Sequence, residues 1–172
     1  AAIMNAVANG LVVCKAAGND NVDQSDVVSL VPGVLAVASL EPNGGRSTFS
    51  NFGAWVDISA PGGGIYNTYS NSGVQSYATL SGTSMASPTV LGVAALLKSH
   101  HPWFTKTEID TLLVNHTTDV NADNPSFAGL LGSGRVNANN SLSVLTTADY
   151  ALDTNFGFAP KTINFTDVSP NA

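Results

Sequence analysis

Three short apolar runs constrain the fold of this chain most strongly. They span residues 11–17, 34–40 and 54–60, and the last is closed by the turn sequence Pro61-Gly62-Gly63-Gly64. Near-continuous apolar strands beside helices are typical of a parallel sheet that is covered on both faces. We therefore predict an α/β protein with a largely parallel sheet. Residues 77–80 are a candidate fourth strand, which follows a loop at 62–71.

Helical patterns account for much of the remaining chain. They are predicted over residues 1–9, from 83 or 84 to about 99, from Thr105 onward, and over about 137–145. In the second helix, Gly92 suggests close packing against a neighbour. The third begins with a capping box, in which Thr105 caps the helix and Glu108 reaches back. Residues 146–172 are polar and aperiodic, so we predict a C-terminal extension or linker after a domain portion that spans residues 1–145.

Composition excludes several classes of protein. The chain has 172 residues, 44% hydrophobic and 10% charged, which suits one domain or part of a larger one. Twelve acidic residues against six scattered basic ones argue against a nucleic-acid partner, because phosphate binding needs clustered Lys and Arg. The longest apolar stretch, residues 90–97, is too short to span a bilayer. The single cysteine, Cys14, lies in an apolar run and is predicted to be a buried thiol.

Two segments carry candidate chemistry. The first is Gly82-Thr83-Ser84-Met85-Ala86-Ser87-Pro88, which lies where a strand is expected to turn into a buried helix. A serine here is exposed at a helix N-terminus, where free N–H groups and the positive dipole end favour negative charge on a substrate oxygen. Ser84 is thus a candidate nucleophile. The alternative is that Thr83 or Ser84 is an ordinary N-cap, and this segment alone does not decide between the two.

The second segment is Ala16-Ala17-Gly18-Asn19-Asp20, at the end of the first predicted strand. Open α/β sheets bind ligands at the carboxyl ends of their strands, and a side-chain amide fixed there can donate a hydrogen bond to an oxyanion. Asn19 is therefore a candidate oxyanion donor. Taken by itself, the segment favours the alternative of an ordinary turn asparagine.

Together, the two segments resemble those of the subtilisin-like serine proteases, or subtilases. Gly82 to Pro88 is similar to the family's nucleophile motif and Ala16 to Asn19 to its oxyanion-hole strand, and the residues between them follow the family's order of strands and loops. The resemblance covers about residues 1–145. It implies the C-terminal part of a three-layer fold, in which helices flank a largely parallel sheet.

The resemblance also implies a set of roles. Ser84 is the nucleophile of a secreted serine endopeptidase, and Asn19 donates to the oxyanion with support from Thr83 and the Ser84 N–H. The residues implied to bind the polypeptide substrate are Ala16, Ala17 and Gly18. Each of these roles is carried over by position in the two motifs.

The expected triad is incomplete in this chain. The family's catalytic order is Asp, His, Ser, yet residues 1–83 contain no histidine. His100 and His101 lie about 24 Å beyond Ser84 along one predicted helix, which is far outside hydrogen-bond reach. His116 is interpreted as a solvated residue at a helix C-terminus. We therefore expect the C-terminal half of a catalytic domain, inactive alone, whose Asp and His come from an N-terminal half of the same domain.

A second hypothesis belongs to a different class. The alternative to the enzyme is a non-catalytic fragment, a truncated pseudoprotease that acts as a folding, inhibitory or binding module. The missing histidine and aspartate are compatible with this hypothesis as well. The sequence leaves both hypotheses open.

Metal binding is a further expectation. Asp57 matches an acidic position that lies near a cation site in some subtilases, with the loop at 32–34 as its neighbour. The resemblance therefore makes a structural calcium ion a candidate cofactor at Asp57. Asp20, Asp23 and Asp26 form a separate acidic loop. Their spacing does not match an EF-hand, so a solvated loop is favoured.

Overall fold

The computed structural model describes residues 1–71 and 73–143, together with short segments at 150–152 and 165–167. Its helices are α1 (Ala2–Ala8), α2 (Thr83–His100), α3 (Lys106–Asn115) and α4 (Ala138–Ser143), and Pro125–Phe127 form one turn of 3₁₀ helix. Its strands are β1 (Val13–Ala16), β2 (Val34–Leu40), β3 (Ile58–Pro61), β4 (Ile65–Asn71), β5 (Val74–Leu80), β6 (Tyr150–Leu152) and β7 (Phe165–Asp167). Each predicted helical segment is helical in the structure, with ends that differ by a few residues.

Strands β1, β2 and β3 form the parallel sheet that the apolar runs predict. β2 lies in the middle, with Val13 of β1 beside Val34 and Ile58 of β3 beside Val37. All seven residues of β2 are buried, as expected for a strand with neighbours at both edges and layers on both faces. Because the strands are parallel, the residues that follow β1 and those that follow β3 lie at the same end of the sheet.

The two faces of the sheet contribute to two separate hydrophobic clusters. Leu35 and Val37 of β2 share one cluster with buried residues of α2 and α3. Ala38 and Leu40 belong to the other, whose remaining buried members come from loops and from the end of β1: Ala17, Val56, Val120 and Leu131. Helices therefore cover one face of the described sheet, and loops cover the other.

Helix α2 packs on all three strands of the sheet. The buried side of α2 carries apolar side chains at helical spacing, namely Val90, Val93, Ala94 and Leu97. α3 joins the same cluster, and its predicted capping box is present. In this box, Thr105 N–H donates to Glu108 Oε2 (2.7 Å) and Glu108 N–H donates to Thr105 Oγ1 (3.3 Å). This packing fixes α2, whose first turn carries the candidate nucleophile.

The segment between β3 and α2 differs from the prediction of a loop at 62–71. β4 and β5 form an antiparallel hairpin that runs from Ile65 opposite Leu80 to Asn71 opposite Val74. Its turn contains Gly73 at φ 83°, a conformation that glycine adopts without strain. The described side chains of the hairpin are exposed or half-buried. The apolar pattern that reveals a buried strand is therefore weak in β4.

Other predictions also need correction. β3 begins at Ile58 rather than at residue 54, because residues 53–56 form a turn closed by a backbone hydrogen bond of 3.1 Å. The close packing inferred for Gly92 is not found among the described residues, since a Cβ there would meet no atom within 4 Å. The boundary near residue 145 lies outside the described residues. β6 and β7, which pair antiparallel, fall within the predicted extension. In the part of the chain that the structure describes, no helix is both long and apolar enough to cross a membrane.

Candidate active site

The first turn of α2 presents Ser84 at the carboxyl end of the sheet. Gly82 precedes the helix as its N-cap, and having no side chain it makes no capping hydrogen bond of its own. Gly82 N–H donates to Gly62 O (2.9 Å), which ties the start of α2 to the residues that follow β3. Ser84 is exposed, whereas Thr83 is fully buried. The alternative in which Thr83 or Ser84 is the N-cap is therefore wrong, because both residues lie inside the helix.

The start of α2 surrounds Ser84 with partial positive charge. The aligned peptide dipoles place about half an elementary charge at a helix N-terminus. No acidic side chain lies in the first turn to neutralise it. Thr83 N–H donates to Asn19 Oδ1 and Ala86 N–H donates to Gly82 O. The Ser84 N–H has no acceptor within the helix by the geometry of a helix start, so it can donate to a substrate oxygen.

Asn19 is held against α2 by Thr83. Its Oδ1 accepts hydrogen bonds from Thr83 N–H (3.0 Å) and from Thr83 Oγ1 (2.9 Å). Thr83 Oγ1 in turn accepts from Gly18 N–H (3.2 Å). Because a backbone N–H can only donate, the atom of Asn19 that faces Thr83 must be the amide oxygen, and Nδ2 points elsewhere with its two donors. An ordinary turn asparagine bonds its own neighbours, whereas Asn19 bonds a residue 64 positions away.

Gly82 leaves a space open between Asn19 and Ser84. A Cβ placed on Gly82 would lie 3.8 Å from Asn19 Nδ2 and 3.7 Å from Ser84 N. Two hydrogen-bond donors therefore border the same space from two sides. A negatively charged oxygen that binds there could accept from both, which is the arrangement that stabilises a tetrahedral intermediate of acyl transfer.

Asn51 organises the loop that carries Asn19, and no sequence pattern singled it out. Asn51 is buried, with 4% of the residue's surface exposed. Its Oδ1 accepts from Asp20 N–H (2.8 Å) and Val22 N–H (3.3 Å), and its Nδ2 donates to Ala17 O (3.2 Å). These partners lie 29 to 34 positions away along the chain, so a local motif cannot reveal them.

The three residues that are predicted to bind substrate connect β1 to Asn19. Ala17 is buried and its N–H donates to Val37 O (2.9 Å), so its side chain is part of the core. Ala16 and Gly18 are half-buried. Ala16 O accepts from Lys15 Nζ (2.6 Å). Substrate binding by this segment stays a prediction, and it would involve main-chain groups.

On the other side of Ser84, the β4–β5 hairpin borders a cleft of about 330 Å³. Its lining residues come from the hairpin and from the first turns of α2, and they include Ile65, Asn67, Ala78, Leu80, Ser84, Met85 and Pro88. Exposed strand residues therefore lie close to the candidate nucleophile. The two sides of Ser84 are built from different kinds of structure.

In the described part of the chain, no hydrogen bond joins a histidine to Ser84. His100 and His101 lie at the far end of α2, where their ring nitrogens are 2.9 Å apart. His101 also stacks on Phe104, with 4.6 Å between ring centroids. His116 is the C-cap residue of α3. None of these contacts provides Ser84 with a base.

Cys14 is a poor alternative nucleophile. It is half-buried in β1, and this burial is the main reason that the pKa of its thiol rises to about 12. The carboxylate of Asp110 raises the pKa further. Because the thiolate is the nucleophilic form, this raised pKa argues against Cys14 as a nucleophile at neutral pH.

Asp57, the predicted calcium ligand, connects β2 and β3. Its Oδ2 accepts from Ala36 N–H (2.7 Å), and burial raises the pKa of its carboxyl group. Lys106 pairs with Asp110 beside the loop at 32–34. Its Nζ would lie 3.3 Å from a Cβ placed on Gly33, so a positive charge already lies next to this loop. These residues fit calcium poorly, and calcium binding at Asp57 stays a prediction.

The acidic loop is engaged in ordinary structural contacts. Asp26 pairs with Lys15 (2.8 Å), and Asp23 accepts a hydrogen bond from Trp55 Nε1 (3.0 Å). Asp20 is exposed. Among the described residues, no group of three or more His, Cys, Asp or Glu side chains is placed to hold a metal ion. Two of the three carboxylates are therefore engaged with other side chains of this chain.

Comparison with known proteins agrees with this architecture. A model of the subtilase family matches residues 1–134. The chain is 37% identical over 137 residues to subtilisin BL of Lederbergia lenta, covering 80% of this chain and 48% of that protein. It is 40% identical over 146 residues to an extracellular protease of Xanthomonas campestris pv. campestris, covering 80% of this chain and 24% of that protein.

The solved structures lead to the same family. A protease from Pseudoalteromonas arctica superposes with a TM-score of 0.76 at 39% identity, over 84% of this chain and 46% of that one. The chain therefore belongs to the subtilase family of proteases, and its α/β fold is subtilisin-like. It spans about half the length of subtilisin BL and of the Pseudoalteromonas protease.

Proposed function

We propose that this chain is the C-terminal half of a serine endopeptidase in which Ser84 is the nucleophile. Ser84 Oγ attacks the carbonyl carbon of the scissile peptide bond and loses its proton to a histidine base. The tetrahedral oxyanion binds the Ser84 N–H and Asn19 Nδ2. Its collapse breaks the C–N bond, and the histidine returns the proton to the leaving amine. Water then hydrolyses the acyl-enzyme by the same route.

The space beside Gly82 carries this proposal. It is bordered by Asn19 Nδ2 and the Ser84 N–H, and it lies next to an exposed serine at a helix N-terminus. Thr83 is the supporting residue because it orients Asn19 through two hydrogen bonds to Oδ1. Loss of one such donor in subtilisin costs about 10²–10³-fold in kcat, and we expect an effect of the same size for Asn19→Ala.

The aspartate and the histidine come from an N-terminal portion of the same catalytic domain. In this family they precede the serine, and the chain spans about half the length of subtilisin BL and of the Pseudoalteromonas protease. Two surfaces suit such a neighbour. β1 pairs only with β2 among the described strands, which leaves its other edge free for a further strand. Leu91 of α2 is 44% exposed and lines an apolar groove of about 240 Å³, and Leu96 of the same helix is 53% exposed.

Labelling of Ser84 by a fluorophosphonate tests the proposal. We expect label on Ser84, and hydrolysis of peptide substrates, only when the chain is combined with the N-terminal portion. Ser84→Ala should abolish both signals. The matched variant Ser87→Ala, which changes a serine one helical turn further along α2, should keep both. Absence of label in the combined sample, despite stable association of the two portions, would contradict the proposal.

A second candidate is a non-catalytic fragment that serves as a folding, inhibitory or binding module. The observation in its favour is that none of the three histidines is hydrogen-bonded to Ser84 in the described residues. The same labelling experiment separates the two candidates, since the fragment would associate without reacting. We place the protein outside the cell in either case, because one relative is named an extracellular protease.

A further inference from the structure

We infer that Asn51 is a positioning residue for the oxyanion donor Asn19. This inference rests on the proposed function, since it assigns Asn51 a role through Asn19 and not through contact with substrate. Asn51 makes no hydrogen bond to the Asn19 side chain in the described residues; instead it binds the main chain on both sides of Asn19.

Asn51 forms hydrogen bonds with main-chain groups both before and after Asn19. Before Asn19, Nδ2 of Asn51 donates to Ala17 O (3.2 Å) and the Asn51 N–H donates to Gly18 O (2.9 Å). After Asn19, Oδ1 of Asn51 accepts from the N–H groups of Asp20 (2.8 Å) and Val22 (3.3 Å). The main chain at Asn19 is therefore fixed at both ends, while Thr83 fixes its side-chain oxygen. Together these contacts determine where Asn19 Nδ2 lies.

Gly18 shows how close this contact is. Its φ is +111°, and a Cβ on Gly18 would lie 2.5 Å from Asn51 Nδ2. A side chain at position 18 would thus displace the Asn51 amide. The glycine before Asn19 and the buried asparagine at position 51 fit each other, and both act on the conformation of residue 19.

Only an amide of this length meets the requirements at position 51. The side chain must accept two N–H groups and donate to one carbonyl in a site where the residue is 4% exposed. Asparagine offers an acceptor oxygen and an NH₂ group together, whereas ionised aspartate only accepts. Alanine at this position would leave buried polar groups without partners, since little water reaches them.

The expected effect is on kcat more than on KM. The oxyanion exists only in the transition state and the tetrahedral intermediate, so a misplaced Asn19 amide weakens binding of those states and not of the substrate. A displacement of about 1 Å at a reacting centre can cost about 10²-fold in rate. We therefore expect Asn51→Ala to lower kcat by about 10- to 100-fold, with KM changed by less than about threefold.

A double-mutant cycle tests the inference in the complex of the chain with its N-terminal portion. Asn51→Ala and Asn19→Ala are made singly and together, and kcat and KM are measured for one peptide substrate. If Asn51 acts through Asn19, Asn51→Ala should have little further effect on kcat once Asn19 is alanine. An equal fall of kcat in both backgrounds, or no fall in either, would overturn the inference.

Asn124 provides a matched control. It is a second buried asparagine, whose Oδ1 accepts from Arg46 N–H (2.6 Å) and whose Nδ2 donates to Gly44 O (3.1 Å) and Val120 O (2.8 Å). Asn124→Ala should lower the melting temperature about as much as Asn51→Ala while kcat stays near that of the wild type. An equal loss of kcat in both variants would mean that Asn51 contributes only to stability.

One further variant keeps the outcomes distinct. Because burial favours the protonated carboxyl, Asn51→Asp keeps the acceptor oxygen and can still donate to Ala17 O. It therefore keeps more contacts than Asn51→Ala, should fold even if Asn51→Ala does not, and should show a smaller fall of kcat that also vanishes in the Asn19→Ala background. If Asn19→Ala itself leaves kcat unchanged, the role of Asn19 in the proposed function is wrong. If Asn19→Ala lowers kcat and both Asn51 variants leave it unchanged, only the positioning role is wrong.

Discussion

The two sides of Ser84 differ in how they are held. On one side lies the oxyanion wall, which we define as Gly18, Asn19, Asn51 and Thr83. Hydrogen bonds between parts of the chain 29 to 65 positions apart hold this wall, and Thr83 and Asn51 are buried. On the other side lies the β4–β5 hairpin, whose strands pair mainly with each other and whose described side chains are exposed or half-buried.

This difference suits the two tasks that the proposed function assigns to these regions. Stabilising charge in a transition state needs donors held at fixed positions, because a small displacement is costly. Binding an extended polypeptide needs exposed groups on a segment that few other contacts constrain. We therefore expect changes in the oxyanion wall to act on kcat and changes in the hairpin to act on KM. The predictions below follow this expectation, from the largest effect to the smallest.

The largest effect is expected for a methyl group at position 82. A Cβ there would make contacts of 3.5 Å or longer and would fill the space between Asn19 Nδ2 and Ser84 N. Gly82→Ala should therefore leave the melting temperature nearly unchanged and lower kcat by about 10²-fold. Steady-state kinetics and thermal unfolding check the two parts separately.

Gly62→Ala is the contrasting variant. A Cβ on Gly62 would lie 2.7 Å from the backbone oxygen of Gly82 and 2.4 Å from Ser39 Oγ, so the chain must shift to accept it. It should lower both the melting temperature and kcat. If Gly82→Ala lowered the melting temperature as much as Gly62→Ala, its loss of activity would no longer report on the oxyanion space.

A smaller effect is expected in the hairpin. Leu80 lines the cleft beside Ser84, while Tyr77 lies on the opposite face of β5 because strand residues alternate. Leu80→Ser should raise KM for a long peptide by about three- to tenfold, as expected when a partly buried apolar contact is lost, and leave kcat within about twofold. Tyr77→Ser should change neither constant, although Tyr77 is 65% exposed and stacks on Tyr66. A fall of kcat in Leu80→Ser would contradict the assignment of the hairpin to substrate binding.

The smallest effect is expected for an exposed contact near the oxyanion wall. Asp26 pairs with Lys15 and accepts hydrogen bonds from the N–H groups of Val28 and Ser29. The Lys15 contact is the main reason that the pKa of Asp26 falls to about 2. Asparagine can still accept from both N–H groups, so Asp26→Asn removes only the ion pair, worth less than about 1 kcal/mol at an exposed site.

The pH dependence of this variant has a definite sign. Because the pKa of Asp26 is lower in the folded chain than its ordinary value of 3.8, the carboxylate stabilises the fold above about pH 4. This contribution is lost as the pH falls towards 2. The difference in free energy of unfolding between the wild type and Asp26→Asn should therefore shrink over that range, and urea titrations at pH 6, 4 and 2.5 measure it. A constant difference would show that the ion pair does not stabilise the fold.

The sequence predicts those features that local patterns encode. Continuous apolar runs identify β1, β2 and the end of β3, and the spacing of Val90, Val93 and Leu97 identifies the buried face of α2. The two motifs around Asn19 and Ser84 are also local, so their resemblance to the subtilases locates both residues. The comparisons confirm the family and the fold.

The remaining features depend on contacts between distant parts of the chain. The contact of Asn51 with the Asn19 loop, and the orientation of Asn19 by Thr83, join residues that no local pattern relates. β4 is missed because its side chains are mostly exposed and lack the apolar pattern of a buried strand. Gly92 shows the opposite error, since a glycine in an apolar helix suggested a neighbour that the described residues do not contain.

A crystal structure of the phosphonylated complex tests the central claim most directly. The tetrahedral phosphorus on Ser84 Oγ stands in for the tetrahedral intermediate, and its phosphoryl oxygen stands in for the oxyanion. We predict that this oxygen lies about 2.7–3.1 Å from both Ser84 N and Asn19 Nδ2, in the space beside Gly82. A phosphoryl oxygen that points away from Asn19, or a phosphonyl group on a residue other than Ser84, would contradict the account.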